Sequence, residues 1–132
     1  CKLISGKVTY VHRALWPAIL AIGRARESWQ MERLSHAARK LLAAVDGEPA
    51  QTDRSLRKPA SELETSLLVS SEQFNTAGGA HARRLESWEH WSSRTGYIGE
   101  QSTVGRAKLA LEDLVASLNR RYDGRGRLPW QG

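Results

Sequence analysis

The chain has one cysteine, one methionine and one phenylalanine in 132 residues. A lone Cys1 cannot close an internal disulfide, so no oxidising compartment is implied. No apolar run approaches the roughly 20 residues that span a bilayer, and no signal-peptide pattern is visible. The sequence therefore reads as cytoplasmic, with no membrane partner. It starts with Cys rather than Met, which reads as part of a longer protein.

Motifs for chemistry are also missing. His12, His36, His81 and His90 are scattered, with no C-x-x-C or H-E-x-x-H spacing, so no metal site is predicted. Glu86 and His90 would share a helix face, but two ligands make no site; a surface ion pair is the simpler reading. No serine sits in a G-x-S-x-G setting. Gly78-Gly79 lacks the Lys-Ser/Thr that a phosphate loop requires and reads as a turn. The carboxylate pairs Glu62/Glu64 and Glu112/Asp113 read as solvated helix faces. No catalytic residue, cofactor or small-molecule ligand is predicted, which points away from an enzyme.

Acidic residues are scarce in the first third. Residues 1–45 hold eight Lys/Arg against two acids, whereas residues 46–132 hold twelve of each, so the whole net charge of +6 comes from the N-terminal part. A basic excess favours polyanions through counterion release; the plainer alternative is a solvated helix surface. What is present is ordinary for a folded chain: 40 % hydrophobic and 26 % charged residues argue against disorder. The five tryptophans, Trp16, Trp29, Trp88, Trp91 and Trp130, read as core anchors rather than a stacking platform.

Periodicity predicts a mainly helical α+β domain. Gly6–His12 alternates like a strand entered from a Ser5-Gly6 turn. Leu15, Ala18, Ile19, Ile22, Ala25 and Trp29 recur at helical spacing, with Pro17 in the first turn and Gly23 a weak point that could split the helix. Ser35 caps a helix with Ala38, Leu41, Leu42 and Val45 inward, ended by Asp46-Gly47-Glu48-Pro49. A short helix Thr52–Leu56 and a second over Ala60–Leu68, started by Pro59, would make a helix–turn–helix pair. Leu67–Thr76 then reads as a strand, Asn75–Ala80 as a reversal, and His81–Trp91 as a returning strand turning to helix or coil after Ser87. Ser92–Ser102 is a connector. Thr103 caps a helix to Tyr122 with Val104, Ala107, Leu111, Leu114, Val115 and Leu118 inward. In this reading one domain divides into a strand–helix element (1–34), a winged-helix unit (35–91), a packing helix (103–122) and a flexible basic tail (123–132).

A winged helix reads DNA with the second helix of its pair and touches phosphates with its wing. Ser61 and Thr65 would then face bases. Arg54, Arg57 and Lys58 would flank the turn, and His81, Arg83 and Arg84 would form the wing. Arg13, Arg24, Arg26, Arg39 and Lys40 would add phosphate contacts. Two features strain this mode: the reading helix carries two acids and no internal Lys or Arg, and Thr52–Lys58 allows under two turns. A winged helix used for packing is the alternative.

Four phrases, Gly6–Leu20, Leu34–Val45, Lys58–Val69 and Glu72–Trp88, lie within a span of roughly two thirds of the chain. In these phrases the chain resembles bacterial winged-helix proteins related to the interstrand-crosslink-repair DNA glycosylases. The resemblance implies tandem winged-helix units acting on DNA in repair or regulation. The Gln-x-Gln motif associated with excision in those glycosylases is absent, so no catalytic residue carries over. The expected function is non-catalytic binding of duplex DNA. An accessory part of a glycosylase-like enzyme, or a dimerisation module using the C-terminal helix, are the alternatives.

Overall fold

A computed structural model describes residues 1–75, 77–79, 81–97 and 103–131, with the side chain of His81 outside that set. The fold is α+β and 58 % helical, with 15 % strand. No helix among the described residues is long and apolar enough to cross a membrane.

The N-terminal strand is a hairpin. Strands β1 (Lys2–Ile4) and β2 (Lys7–Val8) pair antiparallel. Ser5 and Gly6 both have positive φ, at 50° and 68°, as a two-residue hairpin turn of matching twist requires. Past Val8 the predicted strand ends. His12 Nδ1 accepts from the Ala14 amide and starts a 3₁₀ turn over Arg13–Leu15.

Helix α1 (Trp16–Ala25) follows, then the one-turn α2 (Ser28–Met31). Gly23 does not split α1. A Cβ there would lie 2.3 Å from Trp88 Nε1 and 3.0 Å from the Leu67 carbonyl oxygen, so the glycine admits the indole. Helix α3 (His36–Gly47) starts at the predicted Ser35 cap, whose hydroxyl accepts from the Ala38 amide, and buries the predicted stripe.

Strand β3 (Ala50–Thr52) leads into a helical segment in which the first helix of the expected helix–turn–helix pair is reduced to one 3₁₀ turn. A 3₁₀ turn over Arg54–Leu56 runs straight into α4 (Arg57–Thr65). Asp53 caps this segment, and Pro59 lies in the first turn of α4, where its missing N–H breaks nothing. One helical stretch therefore stands where two were expected. It also stops before Leu68, because Leu67 turns left-handed at φ 54°. The Leu68 amide donates to Leu63 O and the Leu67 amide to Glu64 O, closing the last carbonyls. A leucine in that conformation costs about 1–2 kcal/mol, and it is held there by a fully buried side chain.

The ribbon is present. Strands β4 (Ser70–Asn75) and β5 (His81–Glu86) are antiparallel, and β3 adds to β5 in the order β3-β5-β4. Ser87 then caps α5 (Trp88–Thr95) by accepting from the His90 amide, so the ambiguous stretch is strand first and helix after. Thr76 and Ala80 in the reversal and 98–102 in the connector lie outside the described residues.

Helix α6 (Val104–Tyr122) begins at its predicted Thr103 cap. It buries Ala107, Leu111 and Val115, but Leu114 and Leu118 are each 38 % exposed, contrary to the predicted inward stripe. The tail is docked rather than loose. Asn119 exchanges two hydrogen bonds with Gly126, Ser5 and Arg127 exchange two more, Leu128 is buried, and Trp130 Nε1 donates to Glu112.

Two apolar clusters result. One joins α1, α6, Leu3, Leu67, Trp88 and Leu128; the other joins α3, α4, Val69 and Leu85. Trp88 reaches across Gly23 to donate 2.8 Å to Leu67 O. Trp16, Trp91 and Tyr97 meet edge to face beside it, with centroids 5.2–5.8 Å apart, so these aromatics pack as anchors.

Candidate nucleic-acid interface

The predicted site residues do not form one surface. Arg54, Arg57 and Lys58 stay together. All three are exposed at the N-terminal end of the α4 segment and make no ion pair among the described residues. Arg54 and Arg57 border a groove of about 1060 Å³ between this helix end and the ribbon, whose walls also include Gln51, Gln73 and Arg83.

A helix N-terminus already carries a positive partial charge, so basic side chains in the first turn oppose the dipole. No acid occupies the first turn of α4 to offset Arg57 and Lys58. Asp53 is the one acid in the groove wall. The Ser55 hydroxyl and then its amide donate to Asp53 and hold this carboxyl below the usual aspartate range, keeping it ionised. Its negative charge is committed to capping the segment.

The ribbon arginines part company because β5 alternates its faces. Arg83 points toward α4, where its Nη1 lies 2.6 Å from Glu64 Oε1. Glu64 is 5 % exposed, and Lys2 Nζ sits 3.3 Å from its other oxygen, so Arg83 is spent on an internal salt link. This corrects the expectation of a phosphate-seeking Arg83. Arg84 is exposed on the opposite face of the sheet, in register with Gln51 and Glu72. The His81 side chain lies outside the described residues.

Ser61 and Thr65 do not face outward for reading. Lys2 Nζ donates to Ser61 Oγ at 3.2 Å, and Thr65 donates back to the Ser61 and Glu62 carbonyls. The β1–β2 turn lies over them, with a Cβ on Gly6 placed 3.9 Å from Thr65 Cγ2. The hairpin that periodicity left as a lone strand covers the reading face.

The N-terminal cations are dispersed and mostly engaged. Arg24 pairs with Glu89 at 2.7 Å, and Arg26 pairs with Asp46. Arg39 donates to the Met31 carbonyl at 2.7 Å, and Arg13 lies over the Trp16 and Tyr97 rings. Lys40 is exposed on α3. Arg13 and Arg24 stand at opposite ends of α1, which at ten residues is about 15 Å long, so the charge excess of residues 1–45 makes no single patch.

Sequence reasoning missed Glu64 and Lys2. The signal was present: Glu64 falls on the apolar face of α4 beside Ala60 and Leu63, and an acid at such a position needs a cationic partner. Glu86 is a similar case, 5 % exposed and held bidentately by Arg94 rather than by His90. His90 Nδ1 instead lies 2.8 Å from the Ser87 hydroxyl. Among the described residues no group of three or more His, Cys, Asp or Glu could hold a metal.

Compared with protein-family models, curated proteins and solved structures, the chain gives no match.

Proposed function

We propose that this chain is a non-catalytic nucleic-acid-binding module that takes duplex DNA by its phosphates at the N-terminal end of α4. The observation that carries this reading is the unpaired group Arg54, Arg57 and Lys58, set against a helix dipole of the same sign. Such a group repels itself in the free protein, and a polyphosphate relieves the repulsion while releasing counterions. Gln73, in register with Arg83, supplies a neutral donor along the same groove. With the helix face beyond it covered by the hairpin, this mode positions on the backbone and reads few or no bases. The resemblance of four sequence phrases to winged-helix repair and regulatory proteins is consistent with this reading.

The test is an Arg54→Gln/Arg57→Gln/Lys58→Gln variant titrated against random duplex DNA between 50 and 200 mM salt. Each lost phosphate contact removes about 0.9 from the slope of log K against log salt. The three together are expected to remove about 2.7. A slope equal to that of the parent chain refutes this interface.

A second reading rests on α6. Leu114 and Leu118 at 38 % exposure and Tyr122 at 69 % form an exposed apolar flank among the described residues. It suits pairing of two copies through this helix. Light scattering with and without DNA distinguishes a dimer from a monomer; a Leu114→Ser/Leu118→Ser chain of unchanged mass rules the dimer out.

A further inference from the structure

A second cleft borders the other end of α4. It has a volume of about 440 Å³ and is walled by the β1–β2 turn (Ser5, Gly6), the α2–α3 connection (Trp29, Arg33, Leu34), the end of α4 (Glu62, Thr65, Ser66) and the tail (Arg127, Leu128, Pro129). Arg33 and Arg127 are both exposed on its rim and make no ion pair among the described residues. Among the described residues the only acid in the wall is Glu62, whose two oxygens already accept from the Ser35 amide and hydroxyl at 3.0 and 2.7 Å. The Ser5 oxygen accepts from the Arg127 amide, which leaves its own proton to donate, and the Ser66 hydroxyl has no partner among the described residues.

Arg33, Arg127, Ser5 and Ser66 thus line one cleft whose single carboxylate among the described residues already accepts two hydrogen bonds. We infer that this cleft binds a phosphate group, with Arg33 and Arg127 as its charged ligands and Ser5 and Ser66 as neutral donors. The half-buried Trp29 ring, Leu34 and Pro129 give the cleft an apolar side, which suits a phosphate ester better than a bare ion.

The position within the fold favours a polynucleotide as the source of that phosphate, and in this form the inference rests on the DNA-binding reading. From Arg57 to Ser66 the α4 axis advances nine residues, or about 13.5 Å. A B-DNA major groove is about 12 Å wide. A duplex bridging the two ends of α4, with the β1–β2 hairpin over the helix face between them, therefore meets one phosphate wall at Arg54, Arg57 and Lys58 and the other at Arg33 and Arg127. The other source is a free nucleotide, which needs only the cleft.

The experiment compares the parent chain, an Arg33→Gln/Arg127→Gln variant and the Arg54→Gln/Arg57→Gln/Lys58→Gln variant. Each is titrated with random duplex DNA at 50–200 mM salt and with adenosine monophosphate, following amide shifts of Ser5, Gly6 and Ser66. For the duplex, loss of two contacts shrinks the affinity ratio between 50 and 200 mM salt by about twelve-fold. That result supports the cleft as a duplex phosphate site. Mononucleotide shifts at Ser5 and Ser66 that vanish in the Arg33/Arg127 variant, with an unchanged duplex slope, support a free phosphate ester as ligand. A parent chain showing neither a mononucleotide shift nor a slope that depends on Arg33 and Arg127 overturns the inference. If that happens while the Arg54/Arg57/Lys58 variant still loses slope, the DNA-binding reading survives and the cleft alone is rejected. Both arginines are exposed and contribute no side-chain bond to the fold, and matching amide spectra of the variants confirm folding.

Discussion

Glu64 is the residue on which the cationic side of the molecule turns. It is buried, it holds Arg83 at 2.6 Å and Lys2 at 3.3 Å, and both partners are under a fifth exposed. Removing one member of such a set leaves uncompensated charge in a poorly solvated place, which costs about 3–5 kcal/mol when burial is complete. A Glu64→Gln change is expected to lower stability by about 2–4 kcal/mol in urea unfolding, somewhat under that range because the cations keep some water contact. It also frees Arg83 into the groove, so duplex affinity is expected to rise in the same variant. A stability loss with no gain in binding would show that Arg83 lies outside the interface. Gly23 gives a sharper structural test. A methyl at 2.3 Å from the Trp88 indole must displace that ring and its bond to Leu67 O. Overpacking and a lost buried hydrogen bond together put Gly23→Ala at about 3 kcal/mol of destabilisation, where an ordinary helical glycine gains from alanine. Glu27 supplies the pH dependence. The Lys108 ammonium, 2.6 Å away, and the Trp29 N–H hold its carboxyl below the ordinary 4.5. A depressed carboxylate stabilises the fold above its unfolded pKa and loses that contribution as pH falls through the folded value. The stability gap between the parent chain and Glu27→Gln is accordingly widest at neutral pH and narrows below about 4.5.

At the scale of elements, what was legible in the sequence was local. Ser35 and Thr103 cap the helices they were expected to cap, because a cap needs only the amide two or three residues on. The apolar stripe of α3 is legible for the same reason. Two elements were misread where the deciding contact is remote. Periodicity places a turn between Thr52 and Pro59, but nothing in the chain forces one, and the helix continues through it. The hairpin β1–β2 pairs over a two-residue turn that the sequence does show, yet its seat on Ser61 and Thr65 depends on Lys2 reaching residues about 60 positions away. Of the candidate site, Arg54, Arg57 and Lys58 were legible as a run. The loss of Arg83 to Glu64 was not, since it joins two elements 19 residues apart. The misfit of α4 with its own dipole yields a prediction at this scale. Replacing Arg57 and Lys58 by Glu is expected to raise stability by about 0.5 kcal/mol each while weakening duplex binding, two effects of opposite sign from one change. Parallel urea and binding measurements check it. The tail behaves as an element too. Leu128 is 2 % exposed, so Leu128→Ala is expected to cost about 3 kcal/mol and to speed hydrogen exchange at the Ser5 and Gly126 amides that the docked tail protects.

For the whole molecule, the distribution of charge matters more than its sum. A net +6 suggests a single basic face, and the fold instead disperses the N-terminal cations and consumes several of them in pairs. Of the cations that stay unpaired among the described residues, those proposed to meet DNA stand at the two ends of one helix, with a covered face between them. The account stands or falls on the salt dependence of duplex binding. In a titration against random DNA from 50 to 200 mM salt, the parent chain is expected to weaken steeply. The Arg54→Gln/Arg57→Gln/Lys58→Gln variant is expected to lose about 2.7 from the slope, or about forty-fold in the ratio of affinities across that range. A parent chain whose binding ignores salt, or a variant whose slope matches it, would contradict the account.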